Sequence, residues 1–115
     1  MGDRGNIVMH YELGGEIYFY THWRGSDLPE ILQTALLVGQ SRWDDAQYLP
    51  AIIFREIVKD AQGVTGFGIS PTIGDNEYAL LHVHTENQTV RLRQQSWTFS
   101  EFCALQKLPS MSPSD

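Results

Sequence analysis

The chain has 115 residues, 42% of them hydrophobic and 19% charged, with a formal charge of -6. That length makes one domain with one modest core, and no apolar run reaches the ~20 residues of a membrane-spanning helix. The acidic balance excludes a broad basic face for extended nucleic acid, and the single cysteine, Cys103, excludes an internal disulfide.

The start, Met1-Gly2-Asp3-Arg4-Gly5-Asn6, lacks the charged-then-apolar layout of a signal peptide, which predicts a cytoplasmic protein with no membrane partner. Asn6 stands where an N-myristoylation site wants Ser or Thr. Residues 7–11 and 16–20 are rich in β-branched and aromatic side chains, and Leu13-Gly14-Gly15 between them predicts a β-hairpin. A first helix follows. Asp27 is its expected N-cap, Glu30 the capping-box partner, Pro29 a tolerated first-turn residue and Gly39 the stop after Val38. Its apolar stripe is Leu28, Ile31, Leu32, Ala35 and Leu36 at helical spacing.

Asp44 or Asp45 is expected to cap a second helix over residues 46–59, with Pro50 near its first turn and a broad apolar face of Leu49, Ile52, Ile53, Phe54, Ile57 and Val58. Residues 64–70, 78–85 and 89–94 read as strands, with Glu86-Asn87-Gln88 as the turn between the last two. A short helix begins at Thr98 with Glu101 as capping-box partner. Cys103, between Phe102 and Ala104-Leu105, reads as a buried thiol and not a nucleophile. Residues 106–115, rich in Pro and Ser, are expected to be a disordered tail after a single domain over 1–105. The order ββααβββα predicts an α+β domain: a mostly antiparallel sheet with the helices on one face. The opposite face is expected to need a ligand or a second copy of the chain, so a homo-oligomer is expected.

Two loops carry the binding chemistry. The stretch from Thr65 to Tyr78 spends three glycines and a proline on small polar residues, and Tyr20-Thr21-His22-Trp23-Arg24 lies where a strand runs toward a helix. Trp23 and Trp43 each adjoin an arginine, Arg24 and Arg42. Aromatic plus guanidinium is equipment for a nucleobase and a phosphate. It is equally the equipment of a protein-interface hot spot, and the third reading is that each Trp closes an end of the core and each Arg pairs with a nearby Asp. Gly66-Phe67-Gly68 is no phosphate loop, because Pro71 stands where a further glycine is needed. It predicts a strand closely approached by a backbone or an aromatic ring, or one on which a flat ligand lies against Phe67.

His82 and His84 share one strand face, and His10 or His22 is available as a third zinc ligand. Solvated or hydrogen-bonded strand histidines are the favoured reading, so no metal or cofactor is assigned. A two-histidine phosphodiesterase fails, because the residue two after His82 is His84 and no second copy of the motif exists. Ser70 is not in a nucleophile elbow. No catalytic residue is assigned, and the chain is read as a non-enzyme.

The segments Asn6 to Tyr11, Tyr18 to Trp23, Leu28-Pro29-Glu30-Ile31-Leu32, Arg42-Trp43-Asp44-Asp45, Ile52 to Glu56 and Gly66 to Ser70 through Tyr78 together resemble a family of small uncharacterised proteins of phages, prophages and bacteria, many actinobacterial. The resemblance runs to about Val90. It implies a viral accessory protein that disarms host defence in the host cytoplasm. The expected function is therefore sequestration of a nucleotide-derived immune signal, cyclic or linear. Trp23, Trp43 and Phe67 would stack, with His22 beside them. Arg24, Arg42 and Arg55 would meet phosphate, and Ser70, Thr72, Asp75 and Asn76 would bond sugar and base edges. The alternatives are an anti-CRISPR-style protein inhibitor of a defence effector and a small histidine-dependent metal enzyme.

Overall fold

The computed structural model describes residues 2–111. Six strands, β1 (Gly5–His10), β2 (Glu16–Thr21), β3 (Phe67–Ser70), β4 (Leu81–His84), β5 (Thr89–Leu92) and β6 (Gln95–Thr98), form one sheet in the order β3-β2-β1-β4-β5-β6. Three helices, α1 (Leu28–Val38), α2 (Tyr48–Val58) and α3 (Phe99–Ala104), pack with it in one core. Every ladder is antiparallel except β1–β4, which is parallel. The fold is α+β.

Strand alternation sorts the sheet's two faces. Ile7, Met9, Phe19, Leu81, Val83, Val90 and Leu92 point toward the helices and are buried with Leu28, Leu32, Leu36, Leu49, Ile53, Phe99 and Phe102. The opposite face carries Asn6, Val8 and His10 on β1, Tyr18 and Tyr20 on β2, His82 and His84 on β4, and Arg91 on β5. It is polar and not an apolar sheet awaiting cover. Part of it is covered from within: the β3–β4 connection turns back so that Gly74 packs on the Tyr20 ring. Asn6 pins that loop from beneath, accepting from Gly74 N (3.3 Å) and donating to Asp75 O (3.0 Å).

Local signals place most elements, with corrections at their ends. Asp27 occupies the N-cap of α1, but its side chain makes no capping bond. A 3-10 turn over Gly25–Asp27 leads into the helix and uses backbone bonds instead. Gly25 is obligatory there, since a Cβ would lie 2.7 Å from Asp3 O. Helix α2 begins at Tyr48, where Asp45 Oδ1 accepts from the amides of Gln47 and Tyr48 (both 2.9 Å). β3 and β4 are shorter than expected, because residues 64–66 and 78–80 belong to the connections. β6 was not expected. Its Gln-Ser-Trp-Thr sequence is polar, and the turn before it puts Arg93 at φ +55° with no glycine to announce it.

Helix α3 shows the expected capping box: Thr98 Oγ1 accepts from Glu101 N (3.0 Å) and Glu101 Oε1 from Thr98 N (2.8 Å). Gln33 of α1 holds its other end by donating to the carbonyls of Phe102 and Leu105. Packing does not stop at residue 105. Leu108 lies against the core and Met111 is buried in it, so the expected disordered tail is corrected as far as residue 111. The remainder of that expectation, residues 112–115, lies outside the described residues. Cys103 is half-buried, and burial pushes its thiol above the usual range.

Thr98→Ala removes half of the capping box and is expected to cost about 1 kcal/mol. Urea denaturation should show a lower midpoint with an unchanged slope.

Candidate functional site

Where β2 leaves the sheet, it passes the start of β3 and the C-terminal end of α2. A recess of about 370 Å³ opens there, lined by Thr21, Trp23, Arg24, Ile57, Asp60 and Phe67 among others. Trp23 forms the outer wall and is 62% exposed. Its indole is nevertheless held. His22 packs edge-on at 4.4 Å between centroids, and a Cβ on Gly66 would come within 3.1 Å of indole Cδ1 and Nε1. Gly66 also has φ +99°, a conformation costly for any other residue. The glycine is therefore explained by an approaching aromatic ring, and the ring is Trp23. Phe67 leans edge-on against Phe54 at 6.2 Å and makes the inner wall.

Arg24 reaches across to the end of α2, where Nη1 donates to Glu56 O (3.3 Å) and Ile57 O (3.5 Å). A guanidinium suits the negative end of a helix. Both bonds use one nitrogen, and the side chain also lines the recess. His22 accepts or donates at Nδ1 to Tyr20 Oη (2.7 Å), and its amide is bonded to Gly66 O (2.9 Å), so the recess wall is tied to the outer face of the sheet.

The other sequence-predicted residues separate. Trp43 and Arg42 stand before the N-terminal end of α2, whereas the recess stands at its C-terminal end, and an 11-residue helix is about 16 Å long. Trp43 donates Nε1 to Leu36 O (2.9 Å) and packs edge-on against Phe99 at 5.4 Å. Arg42 lies over the Tyr48 ring at 4.7 Å, with Asp45 at 3.9 Å. That pair closes the core and does not join Trp23. Arg55 is exposed on α2 beside an apolar groove that contains Phe54 and Ile69. Ser70 and Thr72 bond each other (3.1 Å) in the turn after β3. Asp75 and Asn76 hold the loop to Asn6 and Arg4 on the sheet's outer face. Of the eleven residues, Trp23, Arg24 and Phe67 share the recess, with His22 behind Trp23.

A second constellation lies on the outer face, at the end that the β3–β4 loop leaves uncovered. The parallel register sets His84 beside His10 and His82 beside Val8. The three imidazoles of His10, His82 and His84 each offer a ring nitrogen within 4.8 Å of the other two. His10 Nε2 and His82 Nδ1 are 2.7 Å apart, and the rings of His10 and His84 stack at 4.3 Å. Glu16 Oε2 faces His10 Nδ1 at 3.4 Å. Burial lowers the pKa of all three. For His82 it is burial first, then the positive charge of Arg91 and the neighbouring imidazoles, that bring the value down to about 4. Sequence reasoning found His82 and His84 from their two-residue spacing but left the third as His10 or His22. Only the β1–β4 pairing decides it.

No family model, no curated protein and no solved structure matches this chain significantly.

The His82 value sets an acid limit on stability. Its pKa is about 4 when folded, against 6.5 for an unperturbed imidazole. Between those values the unfolded chain takes up the proton and the folded chain does not. The stability contribution is complete above about pH 6.5 and is lost as pH falls toward 4. His10 and His84 shift in the same direction, with Arg91 and Glu16 also facing the cluster. Urea midpoints at pH 7.5 and 5.0 should fall further apart for the parent than for His82→Asn. An equal gap would contradict this assignment.

Proposed function

We propose that the chain is a non-catalytic binding protein that holds a flat, nucleotide-like ligand in the recess between Trp23 and Phe67. The observation that carries this reading is Trp23 itself. A large aromatic side chain left 62% exposed, yet braced by His22 and by the bare Gly66, is a preorganised stacking platform on a concave surface. The recess volume of about 370 Å³ lies within the range of small-molecule sites. Arg24 supplies a cationic fork for phosphate at its rim.

The recess also contains Asp60 and adjoins the negative end of α2. Its field therefore favours a ligand with one phosphate at the Arg24 side over a polyphosphate chain. Sequestration needs affinity and no acid-base pair, which suits Trp23, Arg24 and Phe67 as a set. The resemblance to small phage and prophage proteins gives such binding its biological setting, the withdrawal of a nucleotide signal from host defence. A protein inhibitor is the second reading, favoured by the apolar groove of Ile17, Phe19, Pro50, Phe54, Val58 and Ile69 between α2 and the β2–β3 edge.

Native mass spectrometry against a panel of cyclic and linear nucleotides tests the reading and gives the assembly state at the same time. A stoichiometric adduct is expected. Trp23→Ala should weaken it by about 5- to 150-fold, the loss expected from ~1–3 kcal/mol of base stacking. Gly66→Ala should weaken it too, by displacing the indole, whereas Trp43→Ala should lower the melting temperature and leave affinity near that of the parent. A clean chain that binds no nucleotide would overturn the proposal and turn attention to the groove.

A further inference from the structure

Three imidazoles brought together by strands far apart in sequence are the strongest chemical constellation outside the recess. His10 comes from β1, and His82 and His84 from β4. Strand geometry makes their grouping durable. His82 and His84 are two apart and so point to one face, and the parallel ladder puts His84 directly beside His10. None of the three is fully exposed, and their ring nitrogens already lie within 4.8 Å of one another.

We propose that His10, His82 and His84 form a binding site for one divalent transition-metal ion of the zinc type, with a fourth position open to solvent. Three imidazole nitrogens plus one exchangeable ligand is an established ligand set for Zn²⁺. Ligands about 2.0–2.1 Å from a tetrahedral ion stand roughly 3.3 Å apart. His10 Nε2 and His82 Nδ1, 2.7 Å apart, must therefore separate by about 0.6 Å, and the His84 nitrogen, within 4.8 Å of the other two, must close in. The rings lie nearly parallel, at 8° for His10 and His84 and 21° for His10 and His82. Convergence then requires rotation about Cβ–Cγ, a broad torsion for histidine.

The surroundings fit an ion. Burial shifts all three imidazoles in the direction that favours the neutral form, the form that binds metal. Glu16 Oε2 stands 3.4 Å from Nδ1 of His10, placed to take up a carboxylate–histidine contact of the kind that supports metal-bound imidazoles once Nε2 is a ligand. Arg91 stands opposite His82 across the β4–β5 ladder. Its positive charge opposes a bare cation, but beside a metal it favours an anionic fourth ligand, such as hydroxide, carboxylate or phosphate oxygen. The site is thus a cation centre suited to accept an anion from solvent. It shares no residue with the Trp23 recess, so the two proposals fail independently.

The test is calorimetric titration of Zn²⁺ into the full chain, carrying no histidine tag and stripped with a chelator. Visible absorption of the Co²⁺ form gives a geometry readout. One ion per chain is expected, with intense absorption characteristic of tetrahedral cobalt. Ligand loss should exceed the 10- to 100-fold effect of a second-shell change, so His82→Ala and His84→Ala should each weaken binding by at least about 100-fold. The polar, non-imidazole His84→Gln should do the same if alanine perturbs folding. Glu16→Gln should weaken binding about tenfold, and His22→Ala, remote from the cluster, should not change it. Absence of saturable one-to-one binding, or binding that persists in either ligand variant, overturns the assignment.

Discussion

The arrangement depends on one buried amide. Asn6 is fully buried on the outer face of the central strand, and its side chain bonds the backbone of the β3–β4 connection at Gly74 and Asp75. That connection leaves an edge strand, crosses β2 and β1, and must deliver β4 parallel to β1. Ten residues, 71–80, make the passage, fewer than the dozen or more common for parallel crossovers. If the loop were displaced, the buried Asn6 amide would lose these partners, and an unsatisfied buried polar group costs about 1–3 kcal/mol. The same bond fixes where the loop stops covering the sheet, and so which part of the outer face remains open to solvent.

Two chemically different surfaces result from that division. On the helix side the core ends at the C-terminus of α2, and the chain leaving β2 closes the gap with Trp23 and Arg24. On the other side, the uncovered end of the sheet collects imidazoles, Glu16 and Arg91. Tyr20 and His22 tie the recess instead to the loop-covered part of the outer face, since the hydroxyl–imidazole bond joins a residue under the β3–β4 loop to the one that braces Trp23. The two Trp-Arg pairs show how composition underdetermines role. Trp43 finds a carbonyl for its N–H and a phenyl ring for its face, and becomes packing. Trp23 is braced by His22 and Gly66 and left largely exposed.

Elements with local punctuation were legible in the chain. The glycine stop after α1, the aspartate at the start of α2 and the Thr98–Glu101 pair each act within a few residues. The strand that failed to announce itself, β6, has neither an apolar alternation nor a glycine turn. Its register comes from pairing with β5, and Trp97 is its main contact with the core. The parallel β1–β4 ladder was invisible for a related reason. Nothing within either strand distinguishes a parallel neighbour from an antiparallel one, and the choice is made by a loop far from β1 in sequence. The third histidine was ambiguous until that ladder was known. The failure of Arg42 to join Arg24 reflects α2, whose length separates residues that look interchangeable along the chain.

The sheet is open at both sides, and its two outermost strands are only four residues long. On β3, Ile69 is well exposed, and the space beside Gly68 is empty of other atoms within 4 Å. An exposed edge of this kind invites a neighbouring chain to add a strand. The strand gives little purchase, however. Gly68 weakens its pairing preference, and Pro71, immediately after Ser70, brings no amide hydrogen with which to extend a ladder. The residues that shape the β3–β4 connection thus also make that edge a poor template for an added strand.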